Sequence, residues 1–80
     1  MTIEKAFGLT LKKLRQEKGL SQEALASSSG FHRTYISLLE RGIKSPSLST
    51  LDRLSHALDI SLSQFVDAIE KYTSNKRQSQ

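Results

Sequence analysis

Apolar residues recur along the chain at steps of three or four positions, which is the spacing of one face of an α-helix. The first such stripe consists of Ile3, Phe7, Leu11 and Leu14. It predicts an amphipathic helix over about residues 3–18, which ends where Gly19 supplies a left-handed residue. No segment alternates apolar and polar residues in the two-residue period of a β-strand, so the pattern predicts an all-α fold.

Local start and stop signals divide the rest of the chain into four further helices. Ser21 and Ser47 are good N-cap residues, and Ser61 with Gln64 fits a capping box, in which the two residues satisfy each other's backbone donors. The predicted spans are about 21–28, 32–41, 47–58 and 61–72. Because residues 73–80 are polar, the sequence predicts one folded domain over residues 1–72 and a disordered tail over 73–80.

The last predicted helix carries more apolar surface than the four preceding helices need to cover. Its apolar residues are Leu62, Phe65, Val66 and Ile69. A chain of 80 residues without cysteine buries a small core and has no disulfide to support it. Close helix packing or association with a second copy of the chain must therefore stabilise the fold. We therefore expect a homodimer with this helix at its two-fold axis. The alternative, that all four residues close the core of the monomer, stays open.

Charge is distributed unevenly along the chain, which has 12 basic and eight acidic residues and a formal net charge of +4. Residues 1–46 hold eight of the basic residues and four of the acidic ones, so this part is basic. Residues 47–72 hold two basic and four acidic residues and are therefore acidic. The first half is suited to face a polyanion, although ordinary solvated surface charge would give the same count.

Composition and motifs argue against an enzyme, a metal centre and a membrane protein. The chain has no cysteine and only two histidines, His32 and His56, which fall on different predicted helices. It has no Gly-x-Ser-x-Gly elbow, and no apolar run approaches the roughly 18 residues that a membrane span requires. The N-terminus lacks the basic-then-apolar order of a secretory signal. We expect no enzymatic activity, cofactor, metal or membrane partner, and a cytoplasmic location.

The corner between the second and third helices is the most informative part of the sequence. Only about three residues around Gly30 join the two helices, so they cross steeply, and Gly30 can adopt the positive φ that a sharp turn requires. Ala26 is small where the two axes approach most closely. The residues expected to pack the corner are Leu25, Phe31, Ile36 and Leu39. This spacing is the pattern of a helix-turn-helix.

The same residues resemble a known family. Residues 11–26, LKKLRQEKGLSQEALA, look like the start of the Cro/phage-repressor-type (XRE-type) DNA-binding domains, and residues 35–37, 39–42 and 46–48 continue the match. The resemblance covers about residues 7–69 and implies a five-helix lambda-repressor-like domain with the helix-turn-helix at helices two and three. It also implies a sequence-specific regulator of transcription that binds double-stranded DNA as a homodimer on a palindromic operator.

Within that family, residues 30–37, GFHRTYIS, most resemble the controller proteins of restriction–modification systems. His32 departs from the pattern, because it stands where a Ser, Thr or Asp helix cap is usual. The alternatives are a phage or chromosomal repressor, an antitoxin-type autoregulator, and an interaction module of the same fold that does not bind DNA. RNA polymerase is a further candidate partner.

The third helix is the expected recognition helix, and the N-terminal residues of such a helix meet base edges in the major groove. The residues expected on its exposed face are Arg33, Thr34, Ser37 and Leu38. Arg33 can donate two hydrogen bonds to guanine O6 and N7, and Thr34 suits a thymine methyl or a phosphate. Leu38 suits a thymine methyl as well, although a half-packed leucine is an equally good interpretation.

Phosphate contacts would position the module without reading sequence. The candidate residues are Gln22, Tyr35, Arg41 and Lys44. Gln22 begins the second helix, where backbone N–H groups can also bind a phosphate, and the resemblance assigns it the same role. Tyr35 can instead pack its ring at the edge of the core, and Lys44 can be an ordinary loop lysine. The resemblance further implies that Arg15 and Glu40 form a structural ion pair between the first and third helices.

Overall fold

The computed structural model describes residues 1–78, with side chains to Thr73. Its five helices are α1 (Ile3–Glu17), α2 (Gln22–Ser29), α3 (Arg33–Glu40), α4 (Leu48–Ala57) and α5 (Leu62–Gln78), and the described residues include no strand. The predicted all-α fold with five helices is confirmed. The observed boundaries of α1 to α4 lie close to the predicted ones because their start and stop signals are local.

Four of the five helices in residues 1–78 begin at a side-chain cap. The cap residues are Thr2, Ser21, Ser47 and Ser61, whose hydroxyls each accept a hydrogen bond from the backbone N–H three residues on. The capping box of α5 is complete, because Gln64 Oε1 also accepts from the Ser61 N–H at 2.9 Å. Helix α3 is the exception, since His32 at its N-cap makes no side-chain cap bond.

One core lies between the helices and takes residues from all five of them. The apolar side chains with at most 2% of their surface exposed are Ala6, Phe7, Leu11, Leu25, Ile36, Leu39, Leu54, Leu58 and Phe65. Ile3, from the predicted stripe of the first helix, and Leu48, three residues before the half-buried Leu51 in α4, are instead exposed by 52% and 73%. Each is the first residue of its helix, so its side chain lies at the edge of the packed body.

The apolar residues of α5 divide between the core and the surface. Phe65 is fully buried, with its ring centroid 5.7 Å from that of Phe7, and Ile69 is nearly buried. Val66 is 41% exposed, and Leu62 is half-buried. Phe65 and Ile69 thus belong to the monomer's own core, whereas Leu62 and Val66 keep more exposed surface, and a dimer interface on α5 stays a prediction.

Helix α5 also extends beyond the predicted boundary near Tyr72 and continues to Gln78. Residues 73–78 contain neither proline nor glycine, so no local signal stops the helix. Thr73 is buried, and its hydroxyl donates to the Glu70 carbonyl at 3.1 Å, which ties Thr73 to the preceding turn. The start of the predicted tail at residue 73 thus lies inside α5, and residues 79–80 lie outside the described residues.

Candidate nucleic-acid interface

Gly30 forms the turn between α2 and α3. Its φ of 77° places it in the left-handed region, which favours glycine, and the Phe31 N–H donates to the Ala26 carbonyl at 2.9 Å. Behind the turn, Leu25, Ile36 and Leu39 are fully buried. The second helix of the pair is therefore fixed by its inner face, and its outer face remains available for a ligand.

The four residues predicted to contact bases lie together on the outer side of α3, away from Ile36 and Leu39. Arg33 and Thr34 occupy the first turn of the helix and are exposed. Ser37 and Leu38 follow one turn later and are half-buried. This face therefore carries the guanidinium of Arg33, a planar group with five N–H donors, at the N-terminus of α3 and the apolar side chain of Leu38 one turn later.

The four predicted phosphate contacts occupy two different environments. Arg41 and Lys44 are exposed in the loop after α3. Gln22 and Tyr35 are half-buried and already bonded within the protein. The Gln22 amide donates to Glu40 Oε1 at 3.0 Å, and the Tyr35 hydroxyl shares a hydrogen bond with Thr50 Oγ1 at 3.2 Å. The Tyr35 ring also packs at the edge of the core.

Arg15 and Glu40 join α1 to the C-terminal end of α3. Arg15 Nε donates to Glu40 Oε2 at 2.6 Å and Nη2 donates to Oε1 at 3.1 Å, while Nη1 donates to the Leu20 carbonyl at 2.8 Å. The two side chains are exposed by only 10% and 3%. Arg15 and Gln22 together donate hydrogen bonds to both oxygens of the buried Glu40 carboxylate. The carboxylate therefore stabilises the fold only while these partners remain.

Gly8 also holds this end of α3, and the sequence reasoning missed it. A Cβ atom at Gly8 would lie 2.5 Å from the Glu40 carbonyl oxygen and 2.7 Å from that of Leu39. Helix α1 can therefore approach the α3 backbone only because residue 8 has no side chain. The available signal was a glycine inside an otherwise regular helical stripe, which costs about 1 kcal/mol relative to alanine and so indicates a packing reason.

Helix α4 holds the opposite, N-terminal end of α3 through two residues that the sequence reasoning also missed. Arg53 donates to the carbonyls of Ser29 and Gly30, and its Cζ lies 4.1 Å from the centroid of the Phe31 ring. Thr50 accepts or donates the hydrogen bond with Tyr35. As one of two basic residues in an acidic segment, Arg53 gave no sign of this role, because the contact depends on how α4 crosses the turn.

The exposed charged residues on α3 and in the loop that follows it are basic. Arg33, Arg41 and Lys44 are exposed, whereas the carboxylate of Glu40 is buried and paired with Arg15. The acidic residues of the second half lie on α4, α5 and the segment between them. Within the described residues, no group of three potential metal ligands occurs, and no helix is long and apolar enough to cross a membrane.

Comparison with known proteins gives consistent matches to this geometry. The family model described as helix-turn-helix matches residues 11–65. The control protein C.MunI from a Mycoplasma species is 46% identical over 70 residues, which are 86% of this chain and 95% of that protein. The restriction–modification controller protein C.AhdI from Aeromonas hydrophila superposes with a TM-score of 0.75 at 44% identity, covering 78% of this chain and 94% of that one.

A second similar structure includes DNA. It is the restriction–modification controller protein C.Esp1396I, as a tetramer in complex with its natural 35 base-pair operator. The superposition has a TM-score of 0.82 at 32% identity and covers 89% of this chain and 93% of that one.

Proposed function

Since the chain belongs to the helix-turn-helix family of transcriptional regulators, we propose that it binds double-stranded DNA sequence-specifically and controls transcription from a palindromic operator. The observation that carries this proposal is the geometry of α3, which buries Ile36 and Leu39 while its first turn exposes Arg33 and Thr34. A helix held by its inner face and open at its N-terminal outer face is the form in which such proteins enter the major groove.

In this function α3 reads base edges. Arg33 donates a pair of hydrogen bonds to guanine O6 and N7, the commonest specific contact in the major groove. Thr34 contacts a thymine methyl or a phosphate. Ser37 and Leu38, one turn farther along, add a hydroxyl and an apolar contact at the edge of the site.

Phosphate contacts on both sides of α3 set its depth and register. Arg41 and Lys44 supply exposed positive charge from the loop after the helix. Gln22 stands in the first turn of α2, where the backbone N–H groups and the helix dipole favour an anion. Tyr35 contributes through its hydroxyl, which Thr50 already orients.

A homodimer is the second part of the proposal. A groove between α1, the α3–α4 loop, α4 and α5 is lined mainly by apolar residues, with polar ones beside them: Ile3, Phe7, Pro46, Leu51, Val66 and Ile69, and Glu4, Ser45 and Glu70. Leu48, 73% exposed, is a further apolar residue at the start of α4. A two-fold axis at this groove covers these side chains and sets two recognition helices about 34 Å apart, one turn of DNA.

The dimer is tested by sedimentation at tens of micromolar protein. We expect Val66→Glu to shift the protein towards monomer and to weaken operator binding. Leu9→Glu is the matched control, because Leu9 and Val66 are both 41% exposed but Leu9 does not line the groove. A parent chain that sediments as a monomer, or equal behaviour of the two variants, contradicts the dimer.

Within the family we propose the controller of a restriction–modification system, acting in the cytoplasm on promoter DNA and so on RNA polymerase. The similarity to C.MunI and C.AhdI over most of both chains supports this choice over a phage or chromosomal repressor or an antitoxin-type autoregulator. The neighbouring genes test it, since a restriction enzyme and a methyltransferase beside this gene are expected. Neighbouring phage genes or a toxin gene contradict it.

The DNA-binding function is tested by selecting binding sites from random duplex DNA. The expected result is one enriched half-site in an inverted repeat, with an affinity that falls steeply as salt rises because phosphate contacts release counterions. An interaction module without DNA binding gives no enriched sequence and no salt-dependent duplex binding. That result contradicts the proposal.

A further inference from the structure

Helix α3 begins without the local support that the other helices have. His32 makes no side-chain cap bond, whereas the hydroxyls of Thr2, Ser21, Ser47 and Ser61 each cap a helix. Helix α2, which leads into the turn, has no basic residue in its last turn to balance its C-terminal dipole. The segment that connects the two helices therefore depends on contacts from elsewhere in the fold.

Arg53 on α4 supplies those contacts. Its Nε and Nη2 donate to the Ser29 carbonyl at 3.1 and 3.0 Å, and Nη2 also donates to the Gly30 carbonyl at 3.0 Å. One guanidinium thus occupies the carbonyls at the end of α2 and brings a positive charge to the negative end of that helix. A Cβ atom at Gly30 would lie 2.5 Å from Arg53 Nη2, so the turn and the guanidinium fit each other closely.

The same guanidinium continues into the first turn of α3 through aromatic side chains. Arg53 Cζ lies over the Phe31 ring at 4.1 Å, and the Phe31 and Tyr35 ring centroids are 5.1 Å apart. Tyr35 bonds back to α4 at Thr50, three residues before Arg53 and on the same helix face. Phe31 and Tyr35 flank Arg33 and Thr34 in the sequence, so these contacts fix the backbone that carries the two base-reading side chains.

We infer that Arg53 is a positioning residue for sequence recognition, which orients the first turn of α3 so that Arg33 and Thr34 meet their base pairs. This inference rests on the proposed DNA-binding function. A guanidinium is required because its planar fork can hold two carbonyls and stack on a ring at once, whereas an ammonium is a point charge. Arg53 is itself exposed and is not a member of the buried apolar core.

The test compares Arg53→Lys and Arg53→Gln with the parent chain. Affinity is measured for the duplex that the parent selects from random DNA and for a scrambled duplex of equal length. We expect both variants to lower the ratio of the two affinities about tenfold, within the range of one bidentate base contact, and to relax the preference at base pairs read by Arg33 and Thr34. Arg53→Lys keeps the charge, so its affinity for the scrambled duplex is expected to change less than twofold.

Lys71→Gln is the control for loss of one positive charge, because Lys71 is exposed on α5, away from the turn. It is expected to leave the ratio unchanged. A merely structural role would reduce the folded fraction and so lower both affinities together, which leaves the ratio at the parent value. Thermal unfolding of each variant, followed by circular dichroism, measures that fraction independently.

Two results would overturn the inference. One is a parent-like ratio in Arg53→Lys. The other is an equal loss for both duplexes in Arg53→Gln with a salt slope reduced by about one, which would make Arg53 a phosphate contact. Failure of the proposed function is distinguishable from both, because the parent chain itself would then select no sequence.

Discussion

The two ends of α3 are held to the rest of the molecule by different kinds of contact. At the C-terminal end, the Glu40 carboxylate is buried against Arg15 and Gln22, and α1 meets the α3 backbone at Gly8 without an intervening side chain. At the N-terminal end, His32 makes no cap bond, and the exposed Arg53 supports the turn from α4. The first arrangement is dry and closely packed, whereas water reaches the second.

This difference separates stability from recognition along a single helix of eight residues. A buried charge or a backbone contact cannot change without destabilising the fold, so the C-terminal end acts as the fixed point of the helix. The N-terminal end carries Arg33 and Thr34, whose partners would lie outside the protein. We therefore expect substitutions at the first end to lower the free energy of unfolding, and substitutions at the second to lower DNA selectivity.

The largest effect is expected for Arg15→Met. It leaves the Glu40 carboxylate, 3% exposed, without its charged partner, and an uncompensated buried charge costs about 3–5 kcal/mol. Urea unfolding measures the loss. Lys13→Met on the same helix is the control and should change stability by less than about 0.5 kcal/mol, since Lys13 is exposed. Equal stability of the two variants would contradict the view that the ion pair of Arg15 and Glu40 stabilises the C-terminal end of α3.

Gly8→Ala is expected to destabilise the protein by about 2 kcal/mol. The new Cβ overlaps two α3 carbonyls, and such overpacking outweighs the roughly 1 kcal/mol that alanine gains in a helix. Gly19→Ala is the comparison variant, because its φ of 71° is strained but no atom lies within 4 Å of the added Cβ. Thermal unfolding should show the smaller loss for Gly19→Ala. A stabilised Gly8→Ala variant would show that α1 can shift away from α3.

Arg33→Ala tests the other end of the helix. Because the side chain is exposed, stability should stay within about 0.5 kcal/mol of the parent. Affinity for the selected duplex should fall about tenfold or more, which corresponds to the 1–3 kcal/mol of a bidentate base contact, with little change for scrambled DNA. Lys18→Ala, at an exposed residue after α1, is the control and should retain selectivity. Parent-like selectivity in Arg33→Ala would exclude it as a base contact.

The smallest effect is expected for Lys44→Gln. Loss of one exposed phosphate contact should weaken all duplexes by a similar factor and reduce the slope of log affinity against log salt by about one. Stability should not change. A selective loss for the chosen duplex would move Lys44 from the phosphate contacts to the base contacts.

The sequence predicted most of the local structure correctly because the signals for it are local. A serine N-cap accepts a hydrogen bond from the backbone N–H three residues later and so marks the start of a helix in any fold. A glycine with positive φ marks the end of a helix in the same way. The predicted end of α5 near Tyr72 was wrong because residues 73–78 carry no stop signal, and their polarity alone did not prevent a helix. The placement of Arg33 and Thr34 on one outer face likewise followed from helical periodicity.

Periodicity could not say how far each apolar stripe is covered. Ile3 and Leu48 stand at the helical spacing of buried apolar residues but are exposed. Phe65 and Val66 are neighbours in the sequence, yet Phe65 is buried and Val66 is exposed. Burial depends on where the neighbouring helices end, and that is a property of packing rather than of one helix. Of the four residues of α5 expected at a dimer interface, Phe65 and Ile69 are buried within the monomer, and the interface itself stays a prediction.

By itself, then, the sequence determined five helices, a helix-turn-helix at α2 and α3, and the outer face on which candidate base contacts lie, since each follows from residues within one or two turns of each other. Only the tertiary structure decided what holds that face in place. Arg53 reaches a turn more than 20 residues before it, and Gly8 meets carbonyls more than 30 residues after it. Such contacts depend on the angles and distances between helices, which the whole core fixes.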